Sequence, residues 1–117
     1  MVMGSGGGVT RKEYNGTYQH PNDTSEHDIF SLTLNKPKLI HVRFDCSALS
    51  QTILLRTYNK IDGANYVEVD SVRRIVSDRK GVAAVDLMMG TDIKFTAQSV
   101  NAEGSVKSIP YRYVVES

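Results

Sequence analysis

The segment YQHPNDTSEHD, residues 18–28, gathers His20, Asp23, Glu26, His27 and Asp28. Imidazoles beside carboxylates are the groups that hold zinc or relay protons. Their spacing matches no ligand signature, however, and a zinc site needs three or four ligands converging with a further layer of hydrogen bonds behind them. A loop this polar is ordinarily solvated, so no metal site is read here.

A nucleophile and base pair is the next possibility, since the single thiol, Cys46, follows His41 by five residues. In LIHVRFDC, Ile40, Val42, Phe44 and Cys46 share one parity while His41, Arg43 and Asp45 share the other, which points imidazole and thiol to opposite faces of a strand. Cys46 reads as a small buried hydrophobe. Ser47 has no Gly-x-Ser-x-Gly elbow around it.

RRIVSDRK, residues 73–80, concentrates Arg73, Arg74, Arg79 and Lys80 and invites phosphate or carboxylate contacts. It lacks interleaved aromatics, and Asp78 dilutes it, so a solvated connector or a charged subunit contact fits better than a nucleic-acid surface.

RTYNKIDGANYVEVD, residues 56–70, could hold a cation, a phosphate or a plain turn. A calcium loop would place acids or amides where Tyr58 and Lys60 stand, and the Lys would repel the ion. The glycine and lysine spacing of a phosphate loop is also missing. A turn explains the residues: a three-residue hairpin loop Ile61-Asp62-Gly63 sets Leu55 against Val69, Thr57 against Val67 and Arg56 against Glu68, with one face apolar and the other charge-paired. It also predicts a left-handed Gly63.

Six tyrosines and no tryptophan leave one further surface use. Tyr14, Tyr18, Tyr58, Tyr66, Tyr111 and Tyr113 could line a carbohydrate groove or a protein interface, or simply pack across strands. No group is assigned a catalytic or cofactor role. Asn15-Gly16-Thr17 and Asn22-Asp23-Thr24 are glycosylation sequons in form only.

The elements that would position these residues are strands. From Glu13 onward, short apolar alternations rich in Val, Ile, Thr and Tyr are separated by Gly, Pro, Asn and Asp clusters, and no amphipathic helix stands out. Phe30, Leu32 and Leu34 alternate ahead of Asn35-Lys36-Pro37-Lys38, which predicts a hairpin with the Ile40 strand. Tyr14–Gln19, the two arms around Gly63, Val82–Met88, Ile93–Ala97 and Tyr111–Val115 complete about eight strands, at the spacing of about 8 to 12 residues expected of a sandwich. The predicted fold is all-β: one antiparallel β-sandwich, jelly-roll or immunoglobulin-like, over residues 13–117. Residues 1–12, with the run Gly4 to Gly8, read as a flexible N-terminal arm, or as an unused tail.

Composition narrows the class. A chain of 117 residues supports one core, and 14 basic against 13 acidic residues give a net charge of +1, so no global field draws it to nucleic acid or membrane. One cysteine permits no internal disulfide, and MVMGSGGGVTRKEY has no apolar signal region, so synthesis in the cytoplasm is expected.

NGTYQHPNDTSEHDIFSLTL, TYNKIDGANYVEVDSV and SVNAEGSVKSIPYRYVVES together resemble small β-sandwich structural proteins of bacteriophage virions. Antibody domains fit less well, lacking their paired cysteines and core tryptophan here. The resemblance implies a virion component, a capsid decoration protein or a tail or spike accessory, partnered by copies of itself and by a larger viral assembly. Interface candidates are Tyr14, Tyr18, Tyr58, Tyr66, Arg73 and Arg74, with edge strands and the arm. The alternative is a carbohydrate- or ligand-binding module. No cofactor, metal, membrane or nucleic-acid partner is expected, and no enzymatic activity.

Overall fold

Two long strands organise the chain. The computed structural model describes residues 11–74 and 82–116, which form β1 (Arg11–His20), β2 (Glu26–Asp45), β3 (Ile53–Asn59), β4 (Val67–Arg74), β5 (Val82–Ser99) and β6 (Lys107–Glu116). The arm assigned to residues 1–12 lies outside the described residues up to position 10; Arg11 and Lys12 already stand in β1, opposite Glu116 and Val115.

β2 and β5 run antiparallel to each other from Glu26↔Gln98 to Asp45↔Val82. The second half of β2 pairs on its other side with β6, and the second half of β5 with β3, so the order is β1-β6-β2-β5-β3-β4. Because β6 and β3 attach at opposite ends of this ribbon, the sheet divides into two four-stranded halves that share β2 and β5. The halves face one another. Phe30, early in β2, stacks on Tyr111 and Tyr113 of β6 at 4.8 and 4.7 Å, and Phe44, late in β2, meets Phe95 of β5 at 6.2 Å. The result is an antiparallel β-sandwich, as the alternation predicts, built from one continuous sheet.

The eight expected strands become six among the described residues for an identifiable reason. The Asn35–Lys38 turn does not reverse the chain: between Thr33↔Asp92 and Lys38↔Gly90, residues 34–37 stand opposite Thr91 alone. A bulge of this size absorbs Pro37, whose missing N–H interrupts the ladder, and bends β2 without ending it. The two strands placed at Val82–Met88 and Ile93–Ala97 likewise join as β5.

The β3–β4 hairpin also differs from expectation. Gly63 has φ +81°, but the connection spans residues 60–66 and closes on Asn59↔Val67. The Asp62 carboxylate accepts the N–H groups of Asn65 and Ala64, both at 2.8 Å, which pulls its pKa down to about 2 and fixes the turn. The longer loop and a bulge at Thr57/Tyr58 together shift the register, so Leu55 meets Val72 rather than Val69, and Thr57 meets Asp70 rather than Val67. Tyr58, not Arg56, faces Glu68, although the Arg56 guanidinium still reaches Glu68 at 3.4 Å. With valines at 67, 69 and 72, several registers offer an apolar partner to Leu55. Packing on the core selects Val72, and Val67 and Val69 remain exposed.

The core is set by period two. Ile40, Val42 and Phe44 of β2 are buried, as is Cys46 just past its end, while His41 and Arg43 face out. Gly16 of β1 has a local role: a Cβ there would lie 2.6 Å from the Tyr111 hydroxyl, so the ring covers backbone that any side chain would occupy.

Candidate functional site

The histidine and carboxylate segment disperses on folding. His27 pairs with Asp23 at 2.8 Å, and Asp28 turns to Lys94 at 3.8 Å. Glu26 accepts hydrogen bonds from the hydroxyls of Tyr58 and Thr96, each at 2.5 Å, on the outer face of the β2–β5–β3 half. Burial pushes the Glu26 carboxyl up, but these bonds and the nearby Arg56 and Lys94 outweigh it and hold the pKa low. Among the described residues no three metal-ligating side chains converge.

His20 goes inward. It is fully buried, with Nε2 2.6 Å from Ser99 Oγ and Nδ1 3.2 Å from the Tyr18 hydroxyl, and so ties β1 to β5 across the sandwich. A serine and histidine at this distance can transfer a proton, but Ser99 is 1 % exposed and meets no substrate there. Burial pushes the His20 pKa below its ordinary 6.5, against the opposing pull of the Glu103 carboxylate. An unfolded chain therefore binds a proton more readily than the folded one as the pH falls through 6.5, and stability present above that pH is lost below it. Thermal melts are expected to shift downward from pH 7 to pH 5, before carboxylates titrate, and His20→Gln should flatten that dependence. A profile unchanged by the substitution would contradict this.

The tyrosines separate into two groups. Tyr58 and Tyr66 share the Lys94 ammonium, 5.0 and 4.8 Å from their ring centres, and Lys60 sits 4.9 Å from the centre of Tyr66. Tyr14 and Tyr18 stand on the inward-facing row of β1. Tyr18 is half-buried beside His20, whereas Tyr14 stacks on Tyr113 at 4.9 Å and keeps 42 % of its surface exposed, the outer member of a stack that continues through Phe30. Arg73 is exposed on β4, whereas Arg74 is only partly so. The remainder of that basic run, residues 75–80, lies outside the described residues.

What the sandwich offers a partner is its pair of ends. Among the described strands β1 and β4 are the outermost members of the sheet, each hydrogen-bonded on one side. β1 pairs with β6 without interruption from Arg11↔Glu116 to His20↔Lys107, so its open side is long and regular, and it carries Tyr14. β4 adds exposed Val67 and Val69. Lys12 is the one lysine on β1, and no proline or bulge interrupts it. Edge strands normally carry such devices against pairing with another chain.

Sequence reasoning missed three features that folding creates: the His20–Ser99 contact, the buried Glu103, and the meeting of Arg43 with Arg112 across β2 and β6. Each joins residues far apart in the chain, and no local pattern marks them.

No protein-family model matches the sequence, and no curated protein matches it. Solved structures do match the fold. A chain of the endospore appendages of Bacillus, described as disulfide-linked pili, aligns over 99 % of this chain and 96 % of its own with a TM-score of 0.65 and 6 % identity. A chain of the capsid of a Helicobacter pylori bacteriophage aligns over 93 % of each chain, with a TM-score of 0.54 and 10 % identity. At these identities the similarity is one of fold.

Proposed function

We propose that this chain is a non-enzymatic structural protein, a virion component that associates with copies of itself or decorates a capsid or tail. The observation that carries the reading is the sheet's two unlike open edges, β1 and β4. Pairing β1 of one copy with β4 of the next is a head-to-tail contact, which propagates as a ring or a filament. Tyr14 supplies a packed aromatic anchor at the β1 edge, of the kind that dominates interface energies. The arm, which the structure shortens from residues 1–12 to those ahead of β1, would lie across the neighbouring copy and order on contact. Whole-chain similarity to a pilus subunit and a capsid chain supports an assembly role. In a disulfide-linked pilus thiols supply cohesion; Cys46 is buried, so here backbone pairing and packing would do so.

The carbohydrate alternative has less to stand on, because sugar stacking needs open ring faces and lysine ammonium groups already occupy ring-face positions over Tyr58 and Tyr66.

Proline at the β1 edge tests the assembly. Thr17 stands opposite Pro110, which has no N–H to give, so residues of Thr17's parity contribute least to the β1–β6 ladder and Asn15 is the position to change. Wild-type protein is expected to form oligomers or filaments by light scattering and electron microscopy, and Asn15→Pro to lose them while keeping its melting temperature within a few degrees. A wild-type chain that stays monomeric at high concentration overturns the proposal.

A further inference from the structure

On the outer face of the β1–β6–β2 half, the register places Arg43 directly opposite Arg112. Side chains opposite one another on neighbouring strands start about 5 Å apart, and like charges there oppose folding. The described carboxylates do little to neutralise them. Arg43 makes no ion pair with any described carboxylate, and Arg112 has only Glu13 at 3.6 Å, with both side chains more than half exposed, a contact worth little in water.

The surroundings are concave on both sides of this pair. One hollow, of about 300 Å³, is lined by Arg43 and Arg112 with Arg11, Glu13, His41 and Val114. At its far end Glu116 already takes Arg11 at 2.6 Å and His41 at 2.9 Å, which holds the Glu116 carboxyl below its usual range. Those two cations are paired at close range; of the two opposed arginines, Arg112 has only the more distant Glu13 and Arg43 has no partner among the described carboxylates. The second hollow, of about 240 Å³, is lined by the same arginines and by Phe44, Asp45, Pro110 and Tyr111, a largely apolar wall.

We propose that Arg43 and Arg112 form an oxyanion site that takes an organic phosphate or carboxylate, its charged group bridged by the two guanidinium forks and its apolar part against Pro110 and Tyr111. Planar guanidiniums present paired N–H donors that match the oxygens of phosphate and carboxylate, and two of them side by side relieve their mutual repulsion by sharing one anion. The two arginines lie on β2 and β6 and bind through side chains, whereas the assembly reading rests on backbone pairing at the open edges of β1 and β4, so either can fail while the other stands.

Titration calorimetry and phosphorus NMR on the full chain, with phenyl phosphate and inorganic phosphate as probes, test it. Saturable binding is expected, several-fold tighter for phenyl phosphate, and weakened about tenfold or more by either Arg43→Gln or Arg112→Gln, while Arg73→Gln on the exposed β4 edge leaves it unchanged. Both substituted residues are exposed, and circular dichroism should show the fold retained. Absence of saturable binding, or binding that survives both arginine substitutions or falls equally with Arg73→Gln, overturns the site. Equal affinity for the two probes removes the apolar part of the assignment. A peptide carrying a glutamate beside a phenylalanine separates a carboxylate source from a phosphate one: competition with phenyl phosphate assigns the site to both, and failure to compete restricts it to phosphate.

Discussion

Phe95→Ala is expected to cost about 3–5 kcal/mol of unfolding free energy, the range for an enclosed aromatic truncated to alanine. Phe95 is 1 % exposed and lies where the two halves of the sheet meet, 4.8 Å from Phe30 and 6.2 Å from Phe44. Phe30 in turn carries Tyr111 and Tyr113. Removing the Phe95 ring therefore opens a cavity from which the stack cannot withdraw, because each remaining ring is fixed by a strand. Denaturant unfolding should show a lower midpoint at an unchanged slope. Val67→Ala, at an exposed site on β4, is the control and should cost less than about 0.5 kcal/mol. Similar losses from the two variants would contradict this account of the core.

A second large effect is expected at Glu103, a carboxylate only 7 % exposed in the β5–β6 connection. Its Oε1 accepts the Ser50 N–H at 2.8 Å and the Ser50 hydroxyl at 2.9 Å, and its Oε2 accepts the Gln51 N–H at 3.0 Å. One side chain thus fixes the β2–β3 connection to the opposite end of the chain. Hydrogen bonds to a charged acceptor contribute roughly 1.5–3 kcal/mol each, and stranded donors add their own penalty. Because the three bonds act together, Glu103→Ala should cost about 2–4 kcal/mol in all. Glu103→Gln retains one acceptor but turns an N–H₂ toward a donor, and should recover roughly half of that. Hydrogen exchange gives the local readout: the Ser50 and Gln51 amides should lose protection in Glu103→Ala while the Ile40–Phe44 amides keep theirs. Unchanged protection at Ser50 and Gln51 would show that the loop holds itself.

Alternation is a property of neighbours in the chain, and the sequence determined by itself whatever depends on neighbours alone. Which face of the Ile40–Cys46 run is buried, where strands replace helices, and that a turn needs Gly63 with positive φ all follow from side chains pointing to opposite sides of an extended backbone. Tertiary structure decided everything that depends on which strand lies beside which. Residues 34–37 look like a turn in the chain, yet become a bulge because β5 runs past them and holds both flanks in one ladder. Val72 rather than Val69 meets Leu55 because the longer loop over residues 60–66 slides β4 along β3, and one extra β4 residue opposite Thr57/Tyr58 then reverses parity without changing the local pattern. Arg43 and Arg112 become neighbours only through the β2–β6 register, and Glu103 finds Ser50 only when two loops at one end of the sandwich come together. The period of two fixes the side to which a residue points, whereas its partner is chosen by the packing of the whole sheet, a long-range quantity that no short window of sequence contains.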